Sequence, residues 1–351
     1  MIHQIDIQNF RGFSALRLSS LKRVNVIVGR NASGKSTILE SIFVASSASV
    51  PNAAFQLRAV RHLGNQIQIT NEAASYRSLW DDMFHWFNEQ KTISIEIAGT
   101  EGDSRSLRAY YAEADTQLLP IGKQPVGSSV LPQIVFEWKR GDEKPILIKP
   151  TITSQGLKVE GATTDAFPVL LFSPRSPDSP EEHAKRFSEL SKVGETDQII
   201  QALNSEFPFL KSLSIEYFAH LPSVFASLRG QEKKIPVGLL SDGVNKLMGI
   251  LLGIAAYKGG TVLIDQIEDG FYYDRLASIW KLIYEFASVY SVQIFATTHS
   301  QECLQALLPI LATNQNGFSL LRSERLNGTS TVARFDGSQM FSALSKDGEI
   351  R

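Results

Sequence analysis

Residues 29–36 read Gly-Arg-Asn-Ala-Ser-Gly-Lys-Ser, which is the spacing of a phosphate-binding P-loop. The glycines let the backbone curl until successive N–H groups face one anion, while Lys35 adds positive charge at the outer phosphates. Ser36 offers a hydroxyl to Mg²⁺, and the helix that follows directs its positive end toward the same anion. The predicted phosphate-binding residues are Gly29, Arg30, Asn31, Ala32, Ser33, Gly34, Lys35, Ser36 and Thr37.

The residues on either side of this loop have the order that a P-loop requires. Val24, Val26 and Val28 alternate along a short run that predicts a strand. After the loop, four apolar residues share one face of a predicted helix: Ile38, Leu39, Ile42 and Phe43. Strand, loop and helix in this order indicate an α/β core that binds a nucleotide.

A second part of the site lies far downstream at residues 260–265, which read GTVLID. A short apolar run that ends in an acid is typical of a buried parallel strand with a carboxylate at its C-terminal edge. Alone, the run indicates only a core strand. Together with the P-loop, it predicts that Asp265 and Ser36 hold Mg²⁺.

Two more segments complete the predicted site. Residues 240–246 read LSDGVNK, and Ser241 can cap the apolar helix that follows, whose N-terminus is another anion site. Alone, this segment indicates only a capped helix start. Residues 292–300 read VQIFATTHS, which predicts a strand that ends near His299. A lone His is usually structural, but one at a strand end beside an acid-ended strand can contact a γ-phosphate.

In their order along the chain, these motifs resemble those of ABC-type ATPase heads. The run Asn9-Phe10-Arg11 before the P-loop is similar to the RecF, SMC and OLD (overcoming lysogenization defect) branch and differs from transporter subunits. Stand-alone bacterial ATPases of the OLD-like clan have similar acid and His segments, close to IDEIENGLHY and to ATTHS followed by Glu. The resemblance implies an α/β P-loop NTPase, which is an ABC-ATPase head with two lobes, a mixed central sheet, antiparallel strands and a helical insert.

In that family two heads enclose ATP, so the P-loop of one subunit faces the signature segment of the other. The resemblance therefore implies ATP and Mg²⁺ as cofactors, a second copy of the chain as partner, and Lys35, Gln266 and His299 as catalytic positions. It also places Arg11 near the adenine. The residues expected to contact ATP bound to the partner are Ser241, Asp242, Gly243 and Lys246.

One position departs from the family pattern, because Gln266 stands where a Glu normally follows the acid. An amide can hold a water molecule but cannot accept its proton, and loss of a general base typically costs about 10²–10⁴-fold in rate. Slow ATP turnover is therefore expected. Three explanations stay open: a substitution introduced to trap the ATP state, a natural ATP-bound scaffold, or a takeover by Glu268. A two-residue step along an extended segment would not point Glu268 reliably toward the site.

The motifs divide the chain into three predicted parts. Residues 1–170 form an ATPase lobe with the P-loop and antiparallel strands, among them a hairpin around residues 140–143. A break rich in Pro and Ser at 174–180 belongs to a helical insert at 171–235. Residues 236–351 form the second lobe, which contains the signature segment (240–246), the Walker B motif (260–265) and the His-switch motif (292–300). The sequence offers no clear candidate for the lobe-connecting Gln of this family.

Composition narrows the classes of protein and partner. With one cysteine and a net charge of −1, the 351-residue chain forms no intrachain disulfide and has no global basic field that demands nucleic acid. The longest apolar stretch, 247–257, is too short to cross a bilayer, so a cytoplasmic protein with no membrane partner is predicted.

The resemblance also implies a biological setting. Little chain follows His299, so the expected effector, a nuclease or toxin, would be a separate chain. The setting would be bacterial antiphage defence or DNA maintenance, with DNA as a further partner. The alternatives are an ATP-bound assembly scaffold, which Gln266 favours, and a transporter ATPase subunit, which the Asn9-Phe10-Arg11 run disfavours.

Overall fold

The computed structural model describes residues 1–61, 76–100, 103–112, 133–153, 156–161, 167–174, 179–326 and 329–346. The strands are β1 (Ile2–Phe10), β2 (Phe13–Ser19), β3 (Val24–Val28), β4 (Ile93–Gly99), β5 (Ser104–Tyr111), β6 (Ile134–Arg140), β7 (Ile146–Thr153), β8 (Gly156–Glu160), β9 (Val169–Phe172), β10 (Leu210–Phe218), β11 (Leu221–Leu228), β12 (Ile235–Pro236), β13 (Thr261–Ile264), β14 (Gln293–Thr297), β15 (Phe318–Leu326) and β16 (Thr329–Asp336). The helices are α1 (Lys35–Ser46), α2 (Val50–Val60), α3 (Pro180–Lys192), α4 (Thr196–Glu206), α5 (Asp242–Ala256), α6 (Leu276–Val289), α7 (Gln301–Gln305), α8 (Leu308–Asn314) and α9 (Gly337–Ser345).

A six-stranded mixed sheet forms the centre of the fold, in the order β16-β15-β3-β14-β13-β9. All its strands run parallel except β16, which pairs antiparallel with β15 at one edge. Residues 327–328 read Asn-Gly, which predicts a turn between those two strands, and they lie outside the described residues. Strand β3 is the strand predicted before the P-loop, and β13 is the predicted acid-ended strand. Because parallel strands present their carboxyl ends at one edge, the loops after β3, β13 and β14 meet there.

Helix α1 lies between the central sheet and a second, antiparallel sheet. The second sheet has the order β2-β1-β4-β5-β6-β7-β8 and includes the hairpin predicted around residues 140–143, which joins β6 and β7. One buried cluster joins the helix to both sheets: Ile38 and Ile42 of α1, Ile7 and Ile95 of the antiparallel sheet, and Leu263 and Phe295 of the central sheet. Packing on both sides holds the helix that begins at the P-loop.

The other face of the central sheet is covered by helices, as a buried parallel sheet requires. Val24, Val26 and Val28 of β3 share a buried cluster with Leu247 and Ile250 of α5. The P-loop strand and the helix that begins at the predicted signature segment therefore share one buried core. Within the described part of the chain, the helices lack the combined length and apolarity needed to cross a lipid bilayer.

The insert predicted at 171–235 is only partly helical. Helices α3 and α4 agree with the prediction, but β10 and β11 form an antiparallel hairpin and β12 adds a third strand. Ala219 and His220 form the two-residue loop between β10 and β11, with φ of 49° and 69°. Two positive φ angles are typical of the type I′ turn in such hairpins. The sequence lacks the usual Asn-Gly or Asp-Gly signal there. Residues 175–178 of the predicted break lie outside the described residues, and the domain boundaries remain predictions.

Candidate functional site

Three adjacent strands bring the separated motifs to one edge of the central sheet. Strand β14 lies between β3 and β13, and all three run parallel. The P-loop follows β3, Asp265 directly follows β13, and His299 lies two residues beyond β14. The strand order therefore places His299 between the P-loop and Asp265.

The P-loop contains two glycines in conformations that other residues rarely adopt. Gly29 has a φ of 142°, and Gly34, which precedes α1, has a φ of 108°. A Cβ on Gly29 would lie 2.0 Å from the carbonyl oxygen of Ser323, and one on Gly34 would lie 2.7 Å from the ring of Phe13. Ser323 Oγ also donates a 2.8 Å hydrogen bond to the carbonyl oxygen of Ser33. Neighbouring strands thus press the loop closely on both sides.

Lys35 lies folded over its own loop. Its Nζ donates to the carbonyl oxygens of Gly29 at 2.6 Å and Arg30 at 3.0 Å. Burial lowers the pKa of Lys35, and the carboxylates of Asp265 and Glu268 oppose that shift. A phosphate would offer this ammonium a charged acceptor, which is stronger than a carbonyl. The exposed tip of the loop consists of Arg30, Asn31 and Ala32.

A carboxylate and two hydroxyls meet beside the P-loop. Ser36 Oγ donates toward the two carboxylate oxygens of Asp265, at 3.1 and 3.0 Å. Thr297 Oγ1 donates to Asp265 Oδ1 at 2.6 Å and accepts from Gln266 N at 2.8 Å. Hydroxyl and carboxylate oxygens are the ligands that Mg²⁺ prefers, so Ser36 and Asp265 fit this ion. Thr37, the last predicted loop residue, is buried.

Sequence reasoning missed Thr297 although a signal was present. Thr297 is the last residue of β14, and β14 pairs in parallel with the strand that ends before Asp265. Side chains at the ends of neighbouring parallel strands lie close together, so a hydroxyl there can reach the acid. Thr297 therefore holds the Asp265 carboxylate in place through its 2.6 Å hydrogen bond.

The chain reverses direction directly after Asp265. Gln266 has a left-handed φ of 52°, and Asp269 N donates to the Gln266 carbonyl oxygen at 3.2 Å. Glu268 therefore returns to the edge of the sheet, where its Oε1 accepts from the backbone N of His299 and lies 2.9 Å from His299 Nδ1. The segment after Asp265 is predicted to be extended and not to point Glu268 reliably toward the site, and the extended conformation is wrong because Gln266 turns the chain.

The predicted signature segment begins helix α5. Ser241 is its N-cap, and its Oγ accepts a 3.3 Å hydrogen bond from Val244 N, which confirms the predicted cap. Ser241 and Asp242 are exposed. Gly243 is buried, and a Cβ on it would lie 2.8 Å from the carbonyl oxygen of Gly270. Ser241 and Asp242 are thus open to a second molecule, whereas Gly243 permits close packing within the chain.

Lys246 is predicted to contact ATP bound to the partner, but in the structure its ammonium contacts its own chain. Its Nζ donates to the carbonyl oxygens of Gln266 at 2.7 Å, Ile267 at 3.2 Å and Asp269 at 2.9 Å. Three acceptors match the three hydrogens of an ammonium. Burial lowers the pKa of Lys246, and the carboxylates of Asp269 and Glu268 oppose that shift. Lys246 therefore ties the start of α5 to the turn that carries Gln266.

Replacing Lys246 by Met is expected to lower the free energy of unfolding by about 2–3 kcal/mol, because three carbonyl oxygens lose a charged donor. Thermal denaturation followed by circular dichroism measures the loss. Lys192→Met is the control, since its ammonium forms an exposed ion pair with Glu189 that contributes no more than about 1 kcal/mol. Equal losses in the two variants would contradict this role of Lys246.

Arg11 lies in a buried ion cluster formed by Arg11, Glu40, Arg58, Arg61 and Asp82. Its guanidinium pairs with Glu40 of α1 and, at 3.1 Å, with Asp82. Arg61 and Arg58 pair with the same two carboxylates, each at 2.7 Å. The side chain of Arg11 is only 6% exposed. Two buried carboxylates therefore hold the Arg11 guanidinium inside its own chain, so the structure does not support the predicted contact between Arg11 and adenine.

A cavity of about 300 Å³ separates the start of α5 from Asp265. Its walls include Ser173 and Pro174, which follow β9, and Asn245 of α5. Because β9 pairs in parallel with β13, Ser173 reaches the same edge of the sheet as Asp265. Ser173 thus lines the cavity beside Asp265 with a polar side chain.

Two protein families match successive parts of the chain. Residues 1–154 match the family described as "AAA ATPase domain". Residues 159–304 match the family described as "AAA domain, putative AbiEii toxin, Type IV TA system". The first match contains the P-loop, and the second contains Ser241, Asp265 and His299. Both halves of the candidate site therefore lie within sequences that resemble ATPase domains.

Individual relatives and a solved structure show the same similarity. An "ATP/GTP phosphatase" of Helicobacter pylori is 22% identical over 333 residues, which cover 88% of this chain and 87% of the relative. "DNA replication and repair protein RecF" of Lysinibacillus sphaericus is 43% identical over 47 residues, which cover 13% of each chain. A crystal structure of an SMC head bound to the C-winged helix domain of ScpA superposes with a TM-score of 0.51 at 13% identity, covering 95% of this chain and 97% of that one. This likeness confirms the predicted fold.

Proposed function

Because the chain is an ABC-type ATPase head of the RecF, SMC and OLD type, we propose that two copies close around two ATP molecules. Each ATP would bind with Mg²⁺ at Lys35, Ser36 and Asp265 of one copy. The bound Mg²⁺ would neutralise charge on the outer phosphates. The observation that supports dimerisation most is the exposed, capped start of α5 at Ser241 and Asp242. A helix N-terminus binds anions, so a γ-phosphate on the facing copy could bind there.

The closed dimer would control a separate effector in the cytoplasm. A nuclease or toxin in bacterial antiphage defence fits best, since one matching family description names a toxin. The SMC head in the similar structure is itself bound to another protein. DNA is a further proposed partner, because one relative is named for DNA replication and repair. Binding and loss of a γ-phosphate would switch the interface between its closed and open states.

Gln266 favours a second function, an ATP-bound scaffold that hardly hydrolyses its nucleotide. An amide at this position cannot take a proton from water. A scaffold would dimerise with ATP and then stay closed, whereas a switching ATPase would reopen as ATP is consumed. The lifetime of the dimer after excess ATP is removed distinguishes the two functions.

Mixing two inactive variants tests whether each site is shared between copies. Lys35→Ala removes the P-loop charge, and Ser241→Arg blocks the facing signature segment. In a mixed dimer one site carries both substitutions and the other carries neither. Half of the dimers in an equal mixture are mixed, so ATP hydrolysis should recover to about a quarter of the unsubstituted rate. The measurement is phosphate release at matched protein concentration.

Controls separate a shared site from a general defect. Ser179→Arg removes another exposed N-cap, which accepts from Glu182 N at 3.2 Å on helix α3, and should leave hydrolysis unchanged. Lys35→Ala mixed with a chain carrying both substitutions should show no recovery. If the equal mixture of Lys35→Ala chains and Ser241→Arg chains is as inactive as each variant alone, the shared site is refuted.

A further inference from the structure

Gln266 leaves the candidate site without a carboxylate at the usual position, yet the structure supplies another one close by. Glu268 is three residues beyond Asp265, and its side chain is 11% exposed. The left-handed turn at Gln266 directs it to His299. The charge of Glu268 also reaches Lys35, where it opposes the lowering of the lysine pKa that burial causes. Glu268 therefore belongs to the electrostatic environment of the phosphate-binding lysine.

The contact between Glu268 and His299 orients the imidazole ring. Glu268 Oε1 accepts from the backbone N of His299 and lies 2.9 Å from Nδ1. A carboxylate can only accept, so this contact favours the tautomer in which Nδ1 carries the hydrogen and Nε2 is the base. The His299 side chain is 53% exposed, between the P-loop strand and the Asp265 strand. The imidazole ring is thus accessible to water at this edge of the sheet.

The second carboxylate oxygen of Glu268, Oε2, is buried and makes no hydrogen bond among the described residues. A buried carboxylate with an unsatisfied oxygen is stabilised when a positive charge forms beside it. Proton uptake by His299 would supply that charge at hydrogen-bonding distance.

We propose that His299 is the general base for ATP hydrolysis and that Glu268 is its positioning residue, replacing the carboxylate missing at position 266. This inference rests on the proposed ATPase function. Water oxygen attacks the γ-phosphorus, and the bond to the β,γ-bridging oxygen breaks, leaving its electron pair on ADP. The proton from water moves to His299 Nε2, while Glu268 balances the imidazolium charge. The exposed ring then returns the proton to solvent.

A double substitution cycle tests the pair. Glu268→Gln and His299→Gln, which keep polar side chains at both positions, should each lower kcat for ATP by about 10²-fold. In a Gln266→Glu background the new carboxylate accepts the proton, so Glu268→Gln should cost less than about fivefold. Loss of mere structural support would lower kcat equally in both backgrounds. Binding of a non-hydrolysable ATP analogue, measured for every variant, should be retained.

The outcomes separate this inference from the proposed function. Turnover by Glu268→Gln at the unsubstituted rate, or equal losses in both backgrounds, would refute the proposed roles of Glu268 and His299. An unsubstituted chain that binds the analogue without hydrolysing ATP would also refute these roles, but it would leave the proposal of nucleotide binding intact. An unsubstituted chain that does not bind the analogue would refute the proposed function and the pair together.

Discussion

Replacing Gly29 by Ala is expected to lower ATP turnover by at least about 10²-fold, because displacing a reacting group by about 1 Å can cost that much in rate. A Cβ at this position would lie 2.0 Å from the Ser323 carbonyl oxygen and 2.8 Å from Ser33 Oγ. Ser323 lies in the neighbouring strand β15 and Ser33 lies in the P-loop itself, so the loop must move to make room for the added carbon. The φ of 142° adds backbone strain of about 1–3 kcal/mol.

Gly230→Ala is a matched control for this prediction. Gly230 also has a positive φ, 78°, but a Cβ there would meet nothing within 4 Å. The free energy of unfolding of Gly230→Ala should fall by about 1 kcal/mol because of backbone strain, while its ATP turnover should be unchanged. Steady-state phosphate release and thermal denaturation of both variants separate strain from loop displacement. Normal turnover by Gly29→Ala would show that the loop tolerates the shift and that its packing against Ser323 does not set the phosphate cradle.

The motifs could be predicted from the sequence because each depends on neighbouring residues. Gly29 to Ser36 lie in one loop, and Ser241 caps its own helix, so spacing alone indicates their local structure. The run before Asp265 is buried as predicted, because uniform apolar character indicates a strand inside a parallel sheet. Local patterns of this kind do not depend on the rest of the fold.

The remaining features depend on contacts between distant residues or on unusual backbone angles. Arg11 pairs with Asp82, which is 71 residues away in sequence, so no local pattern indicates that its charge is already compensated. Glu268 reaches His299 only because Gln266 adopts a positive φ, which is uncommon outside glycine. The three bonds of Lys246 go to backbone carbonyls, which are the same for every residue type. Sequence patterns therefore identified the motifs but not how they are held together.

Replacing Glu40 by Gln is expected to lower the free energy of unfolding by about 3–5 kcal/mol at pH 7, because breaking a buried ion pair leaves uncompensated charge. Glu40 is 6% exposed and pairs with Arg11 and with Arg61, whose Nε and Nη2 donate at 2.9 and 2.7 Å. The control is Glu189→Gln, since Glu189 forms an exposed pair with Lys192 that contributes about 0–1 kcal/mol. Thermal denaturation of both variants measures the difference.

The pH dependence of this loss identifies the ionised Glu40 carboxylate as its cause. Burial alone would raise the pKa of Glu40, but Arg11 and Arg61 hold it below its ordinary value of 4.5. A carboxyl with a lower pKa in the folded state contributes its full stability above the unfolded-state pKa and loses it as pH falls through the folded-state value. The stability difference between the unsubstituted chain and Glu40→Gln should therefore stay constant from about pH 7 to 5 and shrink below about 4.5. A difference that does not change with pH would assign the loss to packing and contradict the electrostatic role of Glu40.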